Sequence, residues 1–169
     1  MVLCREKYSP GLCRYNSGYK EIRWDVVGCN LQCQFCWSPA SRAGCSSVQK
    51  EQKAIYRDTL SQGPNHIDTF IRFTGGEPTL CWDNISEIFS YYEADAVLRN
   101  IPVLIQTNGV EIGRGNVDIN SFLSKTKQCY LIELSMKGTN RDEFALLTDR
   151  DASLYEYQLK AYTALRTCQ

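Results

Sequence analysis

The sequence predicts an α/β fold built on a parallel sheet, and three observations carry that expectation. Four short runs rich in β-branched and aromatic residues alternate with stretches of helical spacing. Each run ends in small or polar residues of the kind that lead a strand into a loop. The length, 169 residues with 43% hydrophobic and 22% charged, suits one globular domain large enough to bury a core. Strands alternating with helices imply right-handed crossovers between parallel strands, with ligand sites at the carboxyl ends of the strands.

In order, residues 1–20 are rich in Tyr, Gly, Ser and Arg, lack a clear period, and read as a loop-like N-terminal extension. The first strand, 21–28, sets Ile22, Trp24 and Val26 on one face and Arg23, Asp25 and Val27 on the other. Residues 38–44, with Pro39 and Gly44, punctuate the chain before a helix over 47–60 carrying Val48, Ile55 and Leu60, which Gly63-Pro64 stops. The second strand covers 67–74. Asp83 then reads as the N-cap of a helix that spaces Ile85, Ile88, Phe89 and Tyr92 on one side. The third strand, 103–107, ends at Asn108-Gly109; that pair alone suggests a hairpin, but Ile119, Phe122 and Leu123 restore helical spacing. The fourth strand spans 129–135. Asn140 with Glu143 and Ser153 with Glu156 have capping-box spacing and open two closing helical pieces, the last carrying Leu154, Tyr157, Ala161 and Leu165.

The chemistry-bearing residues cluster at the strand ends. Cys29, Cys33 and Cys36 follow strand one, Thr74-Gly75-Gly76-Glu77-Pro78 closes strand two, Thr107-Asn108-Gly109 follows strand three and Ser135-Met136-Lys137 follows strand four. Three thiols in one loop can ligate iron or zinc, yet structural zinc sites and ordinary iron–sulfur clusters use four protein ligands, so one coordination position is left open.

The C-x3-C-x2-C spacing, with Phe35 before the last cysteine, resembles the signature of the radical S-adenosylmethionine (AdoMet) enzymes, and Gly75-Gly76-Glu77-Pro78 matches that family's GGEP motif. The resemblance implies that Cys29, Cys33 and Cys36 hold a [4Fe–4S] cluster whose fourth iron takes AdoMet. It implies that Phe35 lies beside the adenine, and that carbonyls at Gly75 and Gly76, with the Glu77 carboxylate, receive the methionyl ammonium. Ser135 matches a position contacting the ribose or carboxylate, and Asn108 or Thr107 occupies a position reaching the same region. Lys137 is a further candidate for the AdoMet carboxylate or an anionic substrate. The implied chemistry is reductive cleavage of AdoMet to a 5′-deoxyadenosyl radical that takes hydrogen from a small-molecule or peptide substrate. A flavodoxin- or ferredoxin-type reductant is the implied partner.

Such domains are usually partial (β/α) barrels of six units, so the chain matches about the first two-thirds of one, residues 21–169, as a fragment or a naturally short member. Strand four would then be an edge bearing Leu131, Ile132 and Leu134, which predicts self-association. Packing against helices assigns Ile22, Trp24, Val26, Ile71, Phe73, Val103, Ile105, Ile132 and Leu134 to the outer face. The inner face then carries Arg23, Asp25, Asp68, Arg72, Gln106, Glu133 and Ser135. Two readings stay open for it: a lining for ligand or water, in which Arg72, Gln106, Glu133 and Lys137 are substrate candidates, or an ion-pair network joining Arg72 to Asp25 or Glu133.

The family's glycyl-radical activating enzymes are an alternative, but they carry acidic residues at the positions of Gln106 and Ser135. A non-enzymatic module is another: an electron-transfer cluster, or a zinc fold in which Cys45, Cys81 or water completes the shell. Cys4 and Cys13 lack nearby His or Cys partners, Cys129 and Cys168 have no assigned role, and His66, before strand two, reads as structural or surface. Nineteen basic residues balance nineteen acidic ones, which leaves no electrostatic footprint for nucleic acid or an anionic membrane. No apolar run is long enough to span a bilayer, and the first residues lack a signal-peptide core. Nine cysteines without an export signal then suit a reducing cytoplasm and metal ligation.

Overall fold

Alternating hydropathy over 20–26, 69–75, 103–107 and 130–134 forms the centre of one sheet. The computed structural model describes residues 2–6, 20–43 and 48–166. In chain order the elements are β1 (Val2–Glu6), β2 (Lys20–Val26), α1 (Pro39–Ala43), β3 (Val48–Lys50), α2 (Gln52–Ser61), β4 (Thr69–Gly75), α3 (Trp82–Ala94), β5 (Val103–Thr107), α4 (Val110–Arg114), α5 (Ile119–Lys125), β6 (Tyr130–Leu134), α6 (Arg141–Thr148) and α7 (Leu154–Arg166). The strand order is β3-β1-β2-β4-β5-β6, in which β2, β4, β5 and β6 run parallel and β1 lies antiparallel to both neighbours. These are the four expected parallel units, and the barrel they begin is not closed.

Two local expectations fail at the N-terminal side. Residues 2–6, read as loop, form β1, and the helix expected from residue 47 begins only at Gln52 because residues 48–50 form β3. β1 pairs with β3 as Val2 with Lys50 and Cys4 with Val48, a long-range ladder that overrides the weak helical spacing around Val48.

The outer face packs as the parity predicts. Ile22, Trp24, Val26, Ile71, Phe73, Val103 and Ile105 join Ile55 of α2 and Ile85, Ile88, Phe89 and Tyr92 of α3 in one apolar core, with Ile132 packed against it. The Phe73 and Phe89 rings meet edge to face at 5.1 Å. Three polar groups that burial traps at its centre satisfy one another: the Trp24 indole donates to Thr59 Oγ1 at 3.1 Å, and Thr59 Oγ1 lies 2.8 Å from the Tyr92 hydroxyl.

Helix starts depart from expectation in detail. Cys81, not Asp83, is the N-cap of α3, because a 3-10 turn over Pro78–Cys81, itself capped by the Glu77 carboxylate, runs directly into the helix. Asn140 caps α6 by accepting from the Glu143 amide at 2.9 Å, while the Glu143 carboxylate turns to the Thr139 amide and hydroxyl. Before α7 the Ser153 amide donates to Asp151 at 2.8 Å, and Glu156 pairs with Arg141 instead of closing a capping box.

On the inner face the ion pairs differ from those expected. Parallel register sets Arg23 beside Arg72, so each guanidinium takes the carboxylate on its other side. Arg23 Nε donates to Asp25 Oδ1 at 2.6 Å, and Arg72 Nη1 lies 3.0 Å from Glu21 Oε1, a residue that shares the parity of Arg23 and Asp25 but is not among the inner-face candidates above. Arg23 Nη2, Asp25 Oδ2, Arg72 Nε and both Glu21 oxygens are buried without a hydrogen-bond partner. Asp68 precedes β4 and is half-buried. Among the described residues no helix is long and apolar enough to cross a membrane.

Candidate functional site

The cysteine loop leaves β2 through Gly28, whose φ of +94° turns the chain out of the sheet and whose amide donates to Ser41 O at 2.9 Å. Leu31 and Cys33 are buried against Val110 and Phe144. The Gln32 and Gln34 amides donate to Thr148 O and Leu147 O at 2.9 and 3.0 Å, and Arg42 of α1 and Arg150 donate to Cys33 O and Asn30 O. The loop is thus held from three sides by protein alone. Arg42 and Arg150 were not singled out from sequence, because isolated surface-type arginines carry no periodic signal.

The diglycine turn closes against this loop. The Gly76 amide donates to Val26 O at 2.6 Å and the Glu77 amide to Gly28 O at 2.8 Å. A Cβ on Gly76 would stand 2.1 Å from Gly28 O, and Gly75 has φ +91° with Asp25 close behind it. The glycines therefore admit the neighbouring strand tip, and both also line the cavity described below. Glu77 is 1% exposed. Its Oε1 accepts from the Thr79 amide, the Thr79 hydroxyl and the Thr107 hydroxyl, and its Oε2 accepts from the Asn108 amide at 2.7 Å. Burial pushes its carboxyl above the ordinary range, and these four donors act in the opposite direction.

Asn108 connects three elements. Its Nδ2 donates to Asn30 Oδ1 at 2.7 Å and lies 3.8 Å from Cys29 Sγ, its Oδ1 accepts from the Val110 amide, and its carbonyl accepts from Gln158 Nε2. At the end of β6 the Ser135 amide donates to Thr107 O at 2.8 Å, and Lys137 Nζ donates to Ser135 Oγ at 2.6 Å while standing 5.4 Å from the Phe35 ring centre. On the inner face Thr74 donates to Gln106 Oε1 at 2.6 Å.

These groups surround one cavity of about 180 Å³. Cys29, Cys33, Cys36, Phe35, Gly75, Gly76, Glu77, Gln106, Asn108, Glu133, Ser135 and Lys137 all line it, as do Thr107, Thr74, Leu31 and Trp37. Arg72 does not, being turned to Glu21 deeper on the inner face. Trp37, assigned no role from sequence, is an exposed member of the lining whose ring centre lies 4.3 Å from the buried Arg23 guanidinium. Cys81 stands apart, its Sγ 3.5 Å from Pro78 O, and Cys129 and His66 are exposed. Cys13, Cys45 and Cys168 and the side chain of Cys4 lie outside the described residues.

Among the described residues no three His, Cys, Asp or Glu side chains are drawn together at metal-coordinating geometry. The donor set nevertheless fits an iron–sulfur cluster with one corner free of protein: three soft thiols on one loop open to one cavity. Burial pushes the Cys29 thiol up to about 11 and raises Cys33, so a metal held here would have to displace protons from these two sulfurs.

A family model described as the Radical SAM superfamily matches residues 26–166. A 7-carboxy-7-deazaguanine synthase of Methanospirillum hungatei JF-1 is 33% identical over 93 residues, spanning 55% of this chain and 36% of that protein. The structures of native anSMEcpe with bound AdoMet and Cp18Cys peptide, and of hexahistidine-tagged anSMEcpe with bound AdoMet, each superpose with a TM-score of 0.55 at 23% identity over 83% of this chain. The chain spans 36% of the length of these relatives. The cysteine loop, the diglycine turn and strands β4, β5 and β6 fall within the matched segment, and the chain belongs to the radical SAM superfamily.

Proposed function

We propose that this protein is a radical AdoMet enzyme, which reductively cleaves AdoMet at a [4Fe–4S] cluster and uses the 5′-deoxyadenosyl radical to abstract hydrogen from a small-molecule or peptide substrate. The observation that supports this best is the convergence of the three thiols, the Gly75-Gly76-Glu77 turn and the Ser135 and Lys137 pair on one cavity. When bound, the cluster supplies the electron that breaks the carbon–sulfur bond of AdoMet.

Cys29, Cys33 and Cys36 would hold that cluster as thiolates. Glu77 is suited to a methionyl ammonium: Oε1 is taken by three donors and Oε2 by one, so the remaining acceptor capacity lies on Oε2. An ammonium beside it would also favour the ionised carboxyl that burial opposes. Lys137 and Ser135, already hydrogen-bonded to each other, offer a cation and a hydroxyl to the AdoMet carboxylate. Phe35 gives an apolar face for the adenine, beside Leu31 and Trp37 in the cavity lining.

A flavodoxin- or ferredoxin-type protein is the proposed reductant. The relatives suggest different substrates, one being named for a deazaguanine product and one carrying a bound peptide, so the substrate class stays at small molecule or peptide. The zinc reading loses support where Cys81, a candidate fourth thiol, lies away from the cavity.

Anaerobic reconstitution tests the proposal. The expected result is a [4Fe–4S] signal that changes on adding AdoMet, with dithionite-dependent formation of 5′-deoxyadenosine that disappears in Cys33→Ala. A metal centre indifferent to AdoMet would overturn it.

A further inference from the structure

We propose that Asn108 is a positioning residue for the cluster ligand Cys29, setting how readily a cluster on this loop accepts an electron. This rests on the reading of the cavity given above. Asn108 is 5% exposed, and every polar group it has is engaged by protein. Its amide donates to Glu77, its carbonyl accepts from Gln158, its Oδ1 accepts from the Val110 amide at 3.0 Å, and its Nδ2 faces Asn30 Oδ1 and Cys29 Sγ. Its N–H groups are all directed at protein atoms, which favours a supporting role over the position near the AdoMet ribose or carboxylate that the family resemblance implies.

The direction of the contact to sulfur follows from the network. Glu111 is a carboxylate whose Oε1 accepts from Asn30 Nδ2 at 3.0 Å and whose Oε2 accepts from Asn116 Nδ2 at 2.6 Å. An acceptor there forces the Asn30 amide to present its oxygen to Asn108, and the Val110 N–H independently forces the Asn108 oxygen the other way. Asn108 therefore turns N–H toward Cys29, and the Leu31 amide adds a second N–H to the same sulfur at 3.4 Å. N–H donors at a ligating thiolate stabilise added negative charge, and so favour the reduced cluster. The step involved is transfer of one electron from a flavodoxin, a ferredoxin or dithionite to the cluster, with no proton moved on Asn108. The same residue is tied through its backbone to Glu77, so the diglycine turn and the first cluster ligand share one support.

The test is a mediated redox titration of reconstituted wild type, Asn108→Ala and Glu111→Gln, followed by EPR, with the AdoMet dissociation constant measured on the oxidised cluster. Asn108→Ala is expected to lower the one-electron equilibrium constant about tenfold, equivalent to about 59 mV, with AdoMet affinity held within about twofold. Glu111→Gln, which lets Asn30 turn over, is expected to give a smaller shift of the same sign. An unchanged potential together with weakened AdoMet binding would overturn the proposal and return Asn108 to the nucleotide. If wild type assembles no cluster at all, the functional reading fails and the electron-accepting part of this proposal falls with it, while amide exchange in the metal-free protein decides the part in which Asn108 holds the Cys29 loop. Leu31 N–H should exchange at least about tenfold faster in Asn108→Ala, and equal rates would refute the support.

Discussion

The two faces of the parallel sheet are made by alternate residues of the same strands, yet they solve opposite problems. On the outer face Trp24, Ile71, Phe73 and Ile105 are at most 1% exposed, and of the polar groups around them Trp24, Thr59 and Tyr92 satisfy one another while Glu93 Oε1 of α3 is buried without a hydrogen-bond partner. On the inner face Arg23, Asp25, Glu21 and Arg72 are nearly as buried, but five of their polar atoms lack a hydrogen-bond partner. Desolvated charges are expensive, and apolar replacements of similar volume are commonly as stable or more so. The outer face is therefore what folding needs, and the inner face carries groups that folding alone does not explain. That difference can be broken or sharpened by experiment.

The largest effect should come from the outer face. Phe73→Ala removes a fully buried ring at the centre of the core and should cost about 3–5 kcal/mol in urea denaturation. A loss below about 1 kcal/mol would show that the sheet packs elsewhere. Next comes the inner pair. Arg23→Met leaves Asp25 charged, 1% exposed and unpaired, and should cost about 3 kcal/mol. The double variant Arg23→Met with Asp25→Leu should return to within about 1 kcal/mol of wild type, the contrast expected of an ion pair that is not there for stability. If the double variant stayed as unstable as the single one, the inner face would be structural after all.

How far these faces could be read from sequence follows the same division. The parity of Ile22, Trp24 and Val26 was enough to place the core, because a period of two is an intrinsic property of a strand. The gathering of Cys29, Gly76, Asn108 and Ser135 at one edge was legible because parallel connectivity brings all strand ends to the same side. Partner choice was not legible. Arg72 takes Glu21 because register places Arg23 beside it, and register is a tertiary property. For the same reason the sequence around β3 suggests a helix, since its partner β1 lies more than forty residues earlier in sequence. Asn30, Glu111 and Gln158 give no signal either, as lone amides and a single helix carboxylate acquire meaning only through what they touch.

The cavity rim gives an effect of intermediate size. Cys29 shifts from an ordinary 9.0 to about 11, principally through burial. A raised thiol pKa depletes the thiolate at lower pH, so at pH 8 the metal-free protein should be alkylated at Cys29 about 100-fold more slowly than a free cysteine. Its rate should go on rising up to about pH 11, beyond the point at which an ordinary thiol levels off. Mass-spectrometric footprinting at pH 8 and 10 reads this directly, and equal rates at pH 8 would mean that the loop is open. Smaller again, Gly76→Ala forces a methyl against Gly28 O and should cost about 1–3 kcal/mol, while abolishing any AdoMet-dependent change in a reconstituted cluster.

The smallest effect on stability should accompany the clearest effect on association. Among the described residues β6 pairs only with β5, and Leu131 on it is 55% exposed. A lysine at such a position is a common natural defence against strand pairing. Leu131→Lys should therefore change stability by no more than about 0.5 kcal/mol, because no packed contact is lost. In sedimentation velocity at high concentration, wild type is expected to self-associate and the variant to stay monomeric. Association that survives the lysine would move the contact away from this edge, and a monomeric wild type would mean that the edge is protected by its twist or its shortness. In either case the outer-face core, which contributes nothing to this edge beyond Ile132 and Tyr130, should keep its stability unchanged.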